Sequence, residues 1–272
     1  MTNRRVVVVP SRAELVELVA DKAIIRLRKT CRRRGHASVV LTGGSVGIDV
    51  LRAMSIHPER DSVPWEQVSV WWGDERFVPA DHPDRNDGQA WEALLTLLPL
   101  RAENIHRFPA AGDSLTVGEA AEAFRELVRS FGSDEDPWPS FDLAFAGIGP
   151  DAHVLSVFPG SAEAGAGEPD IRAVTHSPKP PAERLTFTIP LLNRADRVWI
   201  IASGAEKAAA VGLALADASP VEVPASAVAG RKSTKIFIDD EVASLVPSDL
   251  RERERFWSAE DERADYVPNA LR

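Results

Sequence analysis

The sequence predicts an α/β fold of the Rossmann-like, doubly wound type, in which a mostly parallel sheet carries helices on both faces. Short apolar runs alternate with stretches of helical periodicity along most of the chain, and such alternation is typical of strands joined by right-handed crossovers. The 272 residues fit one large α/β unit with an appendage. We therefore expect an α/β domain over residues 1–240 and a charged C-terminal extension over residues 241–272.

The first two elements have the clearest local signals. Four consecutive valines predict a strand over residues 5–9, and the Ser-x-x-Glu pattern at residues 11–14 predicts the start of a helix. Further extended segments are expected at residues 37–42, 68–72, 141–146, 171–175, 185–189 and 198–202. Further helices are expected after residue 45 and at residues 89–98, 115–131 and 205–215. The alternating charges of residues 251–257 indicate a solvated helix or an oligomer contact.

Composition and charge narrow the classes of function. The chain has 32 basic and 41 acidic residues, and its net charge of −9 argues against nucleic acid as the main partner. No apolar run approaches the roughly 20 residues needed to span a bilayer, so we expect no membrane partner and a cytoplasmic location. The single cysteine, Cys31, excludes an intrachain disulfide and a multi-cysteine metal site. An anionic substrate would therefore need a local cluster of cations.

The most informative segment spans residues 141–160. An apolar run there ends in Gly-Ile-Gly-Pro-Asp-Ala-His, which places Asp151 and His153 directly after a predicted strand. In open α/β sheets, ligands bind at the carboxyl ends of the strands. His153 is therefore expected where chemistry takes place, although a single histidine in such a loop is more often a packed or surface residue.

A second segment, Thr-Gly-Gly-Ser at residues 42–45, joins a predicted strand to a predicted helix. Backbone N–H groups of Gly43 and Gly44, at the positive end of a helix that begins near Ser45, suit a phosphate or an oxyanion. The segment lacks the lysine of a Walker loop and the spacing of a dinucleotide-binding fingerprint. Nucleotide binding is therefore disfavoured.

Cationic side chains follow other predicted strands. In Trp-Gly-Asp-Glu-Arg at residues 72–76, Arg76 offers a planar fork for phosphate oxygens, unless it only forms a surface ion pair with Asp74 or Glu75. Asn86 lies on the polar loop that follows. Three prolines stiffen residues 177–184, which carry Lys179 and Arg184, although a plain connector has the same composition. Lys207 opens a helix and is either a solvated residue or, less commonly, a ligand contact.

Together these motifs resemble the 6-phosphogluconolactonase family, within the glucosamine-6-phosphate isomerase/6-phosphogluconolactonase superfamily, in order over residues 5–240. The resemblance implies hydrolysis of 6-phospho-D-glucono-1,5-lactone to 6-phosphogluconate in the pentose phosphate pathway, with His153 as the general base. It implies that the phosphate and lactone are surrounded by Gly43, Gly44, Ser45, Arg76, Lys179 and Arg184, and we add Asn86 and Lys207 as candidates. It also implies a small anionic sugar-phosphate substrate and no metal or cofactor. We expect a monomer or a homodimer.

Some details of the resemblance stay open. Either Asp151 or Asp74 could orient the imidazole of His153, and the sequence does not rank them. Val46-Gly47 stands where the family usually has Thr-Pro, and Ala152 stands where it usually has glycine. If that position has a positive φ, the alanine costs roughly 1 kcal/mol.

Two other functions remain as alternatives. An amino-sugar phosphate isomerase/deaminase of the same superfamily has a glutamate five residues after the histidine, and Phe158 occupies that position here. A non-catalytic sugar-phosphate sensor would use the same glycines and cations without needing His153. Such a sensor would normally carry a DNA-binding helix pair, and we expect none before Arg5.

Overall fold

A parallel β-sheet forms the centre of the molecule. The structure is a computed structural model and describes residues 4–112, 115–248 and 257–258. The strands are β1 Arg4–Val9, β2 Ala37–Leu41, β3 Val68–Trp72, β4 Asp74–Arg76, β5 Ile105–His106, β6 Leu143–Gly147, β7 Ile171–Val174, β8 Arg184–Phe187, β9 Arg197–Ala202, β10 Ser233–Asp239 and β11 Trp257–Ser258. The α-helices are α1 Arg12–Arg34, α2 Ser45–Ser55, α3 Asn86–Ala93, α4 Val117–Arg129, α5 Ile189–Leu192, α6 Ala208–Leu215 and α7 Asp240–Leu245.

The large sheet has the strand order β11-β1-β10-β9-β6-β2-β3-β5, and all neighbouring strands are parallel. The order changes direction between β2 and β6, because the chain continues from β2 to β3 on one side and from β6 to β9 on the other. Thr42 Oγ1 accepts a hydrogen bond from the Gly147 amide at 3.3 Å and ties the ends of these two strands together. Such a switch point is where open α/β sheets bind ligands. The predicted Rossmann-like α/β fold is confirmed.

A second, antiparallel sheet of three strands, in the order β4-β8-β7, lies next to the carboxyl ends of β2 and β6. The chain passes from the large sheet into the small one at Gly73, whose amide donates to Leu41 O at 3.0 Å and whose carbonyl accepts from the Phe187 amide at 2.8 Å. Strand β4 then pairs with β8 so that Arg76 lies directly opposite Arg184. Two like charges in such a pair repel each other, and they therefore favour an anion between them.

Local signals set the ends of the first long helix, α1. Ser11 Oγ accepts from the Glu14 amide at 3.3 Å at its start, and Gly35 with φ 75° ends it in the left-handed region. Thr116 and Glu119 form a capping box at the start of α4. The helix predicted from Ser11 is confirmed, and the one predicted over residues 115–131 begins and ends two residues inside those limits.

Several elements differ from the sequence expectation. The helix expected at residues 89–98 is α3 followed by a short 3₁₀ turn, and the one expected at residues 205–215 opens with a 3₁₀ turn before α6. The short strands β4 and β5 were not predicted. Strand β10 was also missed, because the polar Ser233 and Lys235 obscure its pattern. It is buried by pairing with β1 on one side and β9 on the other.

The end of the predicted domain is packed rather than loose. Helix α7 is anchored by the buried side chains of Val242 and Val246, so packed structure continues a few residues past 240. The charged stretch of residues 251–257 lies outside the described residues, apart from Trp257, and the boundary at residue 240 stays a prediction. Among the described residues, no helix has both the length and the apolar character needed to cross a membrane.

Candidate active site

A cavity of about 220 Å³ opens at the carboxyl ends of β2 and β6. The turn after β2, strand β4 and the loop after β6 form its walls, and β8 and the start of α6 complete it. It brings together most of the residues that the sequence singled out: Gly43, Gly44, Ser45, Asp74, Arg76, Asn86, His153, Arg184 and Lys207. A wider cleft of about 840 Å³ between α2 and α3 adjoins it and shares Gly44, Ser45 and Arg76.

The imidazole of His153 is held from two sides. Its Nδ1 lies 2.5 Å from Asp151 Oδ1, and its ring centroid lies 4.8 Å from that of Phe158. The His153 side chain is 20% exposed. If Nδ1 carries the proton shared with Asp151, Nε2 has the free lone pair that a general base needs.

The electrostatic surroundings favour the neutral imidazole. Burial lowers the pKa of His153 below its usual value, and the positive charge of Lys179 lowers it further, whereas Asp151 and Asp74 raise it. Burial on its own would raise the pKa of Asp151, but hydrogen bonds and charge interactions with His153 and Lys179 bring it below its usual value. A carboxylate next to a neutral histidine is therefore the favoured state near neutral pH.

The two candidate carboxylates occupy different places. Asp151 contacts the imidazole directly, whereas Asp74 Oδ2 accepts a hydrogen bond from Ser156 Oγ at 2.7 Å within the protein. Asp74 still lines the cavity and acts on His153 through its charge. The sequence left the choice open, and in the structure Asp151 is the carboxylate that contacts the imidazole.

Gly149 makes the contact between Asp151 and His153 possible. A Cβ atom on this residue would lie 2.1 Å from both Cε1 and Nδ1 of His153, and 2.5 Å from Asp151 Oδ1. No larger residue fits without moving the imidazole. Sequence reasoning quoted this glycine within its motif but gave it no role.

Three cationic side chains and the start of helix α2 line the cavity together with His153, and we call this part of the lining the cationic wall. Helix α2 begins at Ser45 and has no acidic residue in its first turn, so its backbone N–H groups and dipole are available to an anion. Arg76, Arg184 and Lys207 also line the cavity. Burial lowers the pKa of Lys207, and Glu206 and Asp239 oppose that effect. Because α2 still begins at Ser45, the unusual Val46-Gly47 leaves the helix start in place.

Arg184 also supports the proline-rich loop before β8. Its Nε donates to Pro181 O at 3.1 Å, and its Nη2 donates to Lys179 O at 3.0 Å and Pro180 O at 3.2 Å. The guanidinium carbon lies 5.9 Å from the ring centroid of Phe158. The loop predicted to be a stiff carrier of charge is thus fixed to a residue of the cavity wall.

The buried carboxylate of Glu75, whose role the sequence did not reveal, holds together the backbone of β4 and the start of α3 at the cavity. Glu75 is fully buried and accepts backbone hydrogen bonds from Arg76 at 2.8 Å, Asn86 at 2.7 Å and Asp87 at 2.8 Å. Arg85 lies 3.9 Å from Glu75 and forms a two-pronged ion pair with Asp87, with both hydrogen bonds at 2.9 Å. Burial raises the pKa of Glu75 to about 7, against the opposing effects of Arg85 and the amides. The alternative, a surface ion pair of Arg76 with Asp74 or Glu75, is absent among the described residues, where the Arg76 side chain donates to Asp84 O.

Asn86 connects this wall to the glycine turn. Its Nδ2 donates to Asp74 O at 2.9 Å, and its Oδ1 lies so near Gly43 that a Cβ atom there would be only 1.9 Å away. Only glycine fits at residue 43. The turn after β2 and the loop before α3 therefore touch and form one continuous wall.

The loop after β6 is strained on both sides of His153. Ala152 has φ 65° and Leu155 has φ 56°, both in the left-handed region that disfavours side chains. Residue 152 therefore has the positive φ at which an alanine carries a strain cost.

Replacing Ala152 by glycine should leave the free energy of unfolding within about 0.5 kcal/mol of the wild type. Relief of roughly 1–2 kcal/mol of backbone strain offsets about 0.8 kcal/mol from the lost buried methyl and up to about 1 kcal/mol from the more flexible unfolded chain. The matched control is Ala121→Gly in α4, where an equally buried alanine has helical geometry and the loss should be about 2 kcal/mol. Urea unfolding measures both, and equal losses would contradict the strain assignment.

Comparisons with known proteins point to one family. The model of the family described as glucosamine-6-phosphate isomerases/6-phosphogluconolactonase matches residues 10–237. Over 240 residues the chain is 38% identical to the 6-phosphogluconolactonase of Streptomyces coelicolor. The aligned residues cover 87% of this chain and 92% of that protein. Over 237 residues it is 37% identical to the 6-phosphogluconolactonase of Mycobacterium tuberculosis, with 86% and 95% covered. The solved 6-phosphogluconolactonase from Thermotoga maritima is similar with a TM-score of 0.74 and 26% identity, over 87% of this chain and 100% of that chain.

These matches confirm the resemblance found in the motifs. They extend over the whole stretch that carries the cavity. Among the described residues, no group of three or more histidine, cysteine or acidic side chains is arranged to hold a metal ion.

Proposed function

The chain belongs to the family of glucosamine-6-phosphate isomerases and 6-phosphogluconolactonases, and on that premise we propose that it hydrolyses 6-phospho-D-glucono-1,5-lactone to 6-phosphogluconate, a step of the pentose phosphate pathway. One observation supports this above all. A partly buried histidine paired with a carboxylate shares a cavity with three cationic side chains and a helix N-terminus. The cytoplasmic location and the monomeric or dimeric state remain predictions from the sequence.

We assign the phosphate to the cationic wall. The N–H groups at the start of α2 with Ser45, together with Arg184 and Lys207, offer a dianion both hydrogen bonds and charge. The facing pair Arg76 and Arg184 is repulsive without an anion and becomes favourable with one. The lactone carbonyl then lies toward His153, on the other side of the cavity.

The proposed reaction starts with proton transfer from water to Nε2 of His153. The resulting hydroxide attacks C1 of the lactone, while the hydrogen bond from Nδ1 to Asp151 stabilises the imidazolium that forms. Amides of the Gly43-Gly44 turn, or Arg76, stabilise the oxyanion. The bond between C1 and the ring oxygen then breaks, and the ring oxygen takes the proton from Nε2. The product is a carboxylic acid, and His153 is neutral again.

The direct test measures lactone opening by the purified protein. Acid release from freshly prepared 6-phosphogluconolactone should greatly exceed the spontaneous rate, and ammonia release from glucosamine 6-phosphate should stay at background. Failure to accelerate lactone opening would reject the proposal and leave sugar-phosphate binding without catalysis.

Phe158 argues against the deaminase alternative. Its ring packs beside His153 and is only 4% exposed, at the position where the resembling deaminases carry a glutamate. A phenyl ring cannot transfer a proton. The residue at this position therefore gives His153 a hydrophobic neighbour and no second group for proton transfer.

The pH dependence should follow the ionisation of His153. The base works only when neutral, so kcat/KM is retained above its pKa and lost as the pH falls through it. Because burial lowers that pKa, the midpoint of the acid limb should lie below the usual value of about 6.5. A pH–rate profile, corrected for spontaneous opening, measures the midpoint, and a value above about 7 would contradict the assigned surroundings.

A further inference from the structure

We propose that Lys179 is a positioning residue for the proposed reaction, which keeps His153 neutral by sharing the carboxylate of Asp151, rather than a phosphate ligand as the sequence suggested. The inference rests on the proposed function, since it concerns the base that the function requires.

The contacts of Lys179 lead to the dyad of Asp151 and His153. Its Nζ lies 3.2 Å from Asp151 Oδ1 and 3.2 Å from Nδ1 of His153. An ammonium group has only donors, so with the proton on Nδ1 it donates to the carboxylate and lies beside the imidazole as a charge. One oxygen of Asp151 therefore serves both a cation and the histidine.

The position of this charge is fixed by the main chain. Lys179 N donates to Ser177 Oγ at 3.2 Å, and Lys179 O accepts from Ser177 Oγ at 2.8 Å and from Arg184 Nη2 at 3.0 Å. These bonds anchor the backbone of the loop, so the ammonium group needs to order only its own side chain. Charge is thereby delivered to one point at a small entropic cost.

The cavity lining separates Lys179 from the other cations. Among the described residues, Arg76, Arg184 and Lys207 line the cavity, whereas Lys179 does not, and its ammonium group contacts Asp151 and His153 instead. The anion already has a helix N-terminus and three cations. The ammonium group of Lys179 lies instead where its charge acts on His153.

The charge balance around His153 explains why such a cation is useful. Asp151 from its own loop and Asp74 from β4 both favour the protonated imidazole, and Lys179 from the loop before β8 opposes them. A histidine facing two carboxylates alone would hold its proton more tightly and would be a poorer base near neutral pH. Lys179 compensates part of that effect.

The test combines a titration without substrate with steady-state kinetics. Proton NMR follows the Cε1–H signals of the six histidines, with His153 assigned by its substitution. In Lys179→Met, the pKa of His153 and the acid limb of kcat/KM should both rise by about half a unit to one unit. KM at pH 8 should change by less than about threefold, because uniform substrate binding is intact. Lys179→Arg keeps the charge and should return both midpoints toward the wild type.

Lys207→Met is the matched comparison. Loss of a cation that lines the cavity should raise KM roughly tenfold or more and leave the His153 titration in place. If Lys179→Met behaves like this variant, with a raised KM and an unmoved titration, Lys179 is a phosphate ligand and the inference is wrong. If the wild type does not hydrolyse the lactone but the His153 titration shifts as expected, the proposed function fails and only the effect of the Lys179 charge on the pKa of His153 stands.

Discussion

His153→Ala is expected to remove about 100- to 10,000-fold of the acceleration of lactone opening over the spontaneous rate. The imidazole is the only base in the described part of the cavity that is held by a carboxylate and kept neutral by burial. Residual activity should remain, because the cationic wall still binds and orients the phosphate end of the substrate. KM should therefore change much less than kcat.

His36→Ala is the control for this prediction. His36 lies just before β2, at the opposite end of the sheet, where its Nε2 contacts Ser69 Oγ at 3.0 Å. Its loss should leave lactone hydrolysis unchanged. Near-normal kcat in His153→Ala would show that water is activated by another group, and the mechanism would have to be replaced.

Gly149→Ala is expected to lower kcat by roughly 100-fold while the protein stays folded, since misplacing a catalytic group by about 1 Å costs that much. The added methyl would occupy the space of the His153 ring and of Asp151 Oδ1. The imidazole would have to turn away, although the backbone of residue 149 lies outside the left-handed region and accepts alanine. KM should change little, because Arg184 and Lys207 are untouched.

The matched control is Gly118→Ala in α4, where a Cβ atom meets nothing within 4 Å. Alanine is the better helix former there, so stability should rise slightly and activity should stay the same. Circular dichroism and the His153 NMR signal would report whether Gly149→Ala is folded with a displaced ring. A fully active Gly149→Ala would mean that the Asp151–His153 contact is not needed for turnover.

Much of this molecule is legible in its sequence. Apolar runs that end in polar turns revealed the strands that deliver Gly43, His153 and Arg76, because burial and chain reversal leave local signals. Strand β10 was harder to find, since its burial comes from β1 and β9, which are distant in sequence. The two-residue strand β5 is too short for a period to show.

The sequence predicted which residues line the cavity better than it predicted the contacts that these residues make. Local patterns identified His153 and the cations, but the choice between Asp151 and Asp74 depends on where a loop turns after Gly149. Glu75 was considered only as one of two possible surface partners of Arg76, because nothing local shows that its carboxylate faces three amides and a buried Arg85. Long-range packing decides both cases.

The switch point between β2 and β6 also determines how late in folding the cavity can form. The hydrogen bond from Gly147 to Thr42 joins positions 105 apart, and Lys207 comes from later still. Contacts between such distant segments form slowly, because a long loop must close first. Because Lys207 lines the cavity, we expect a nascent chain that has not yet emerged beyond it to lack activity, and in a refolding experiment turnover should return only with the last, slow phase.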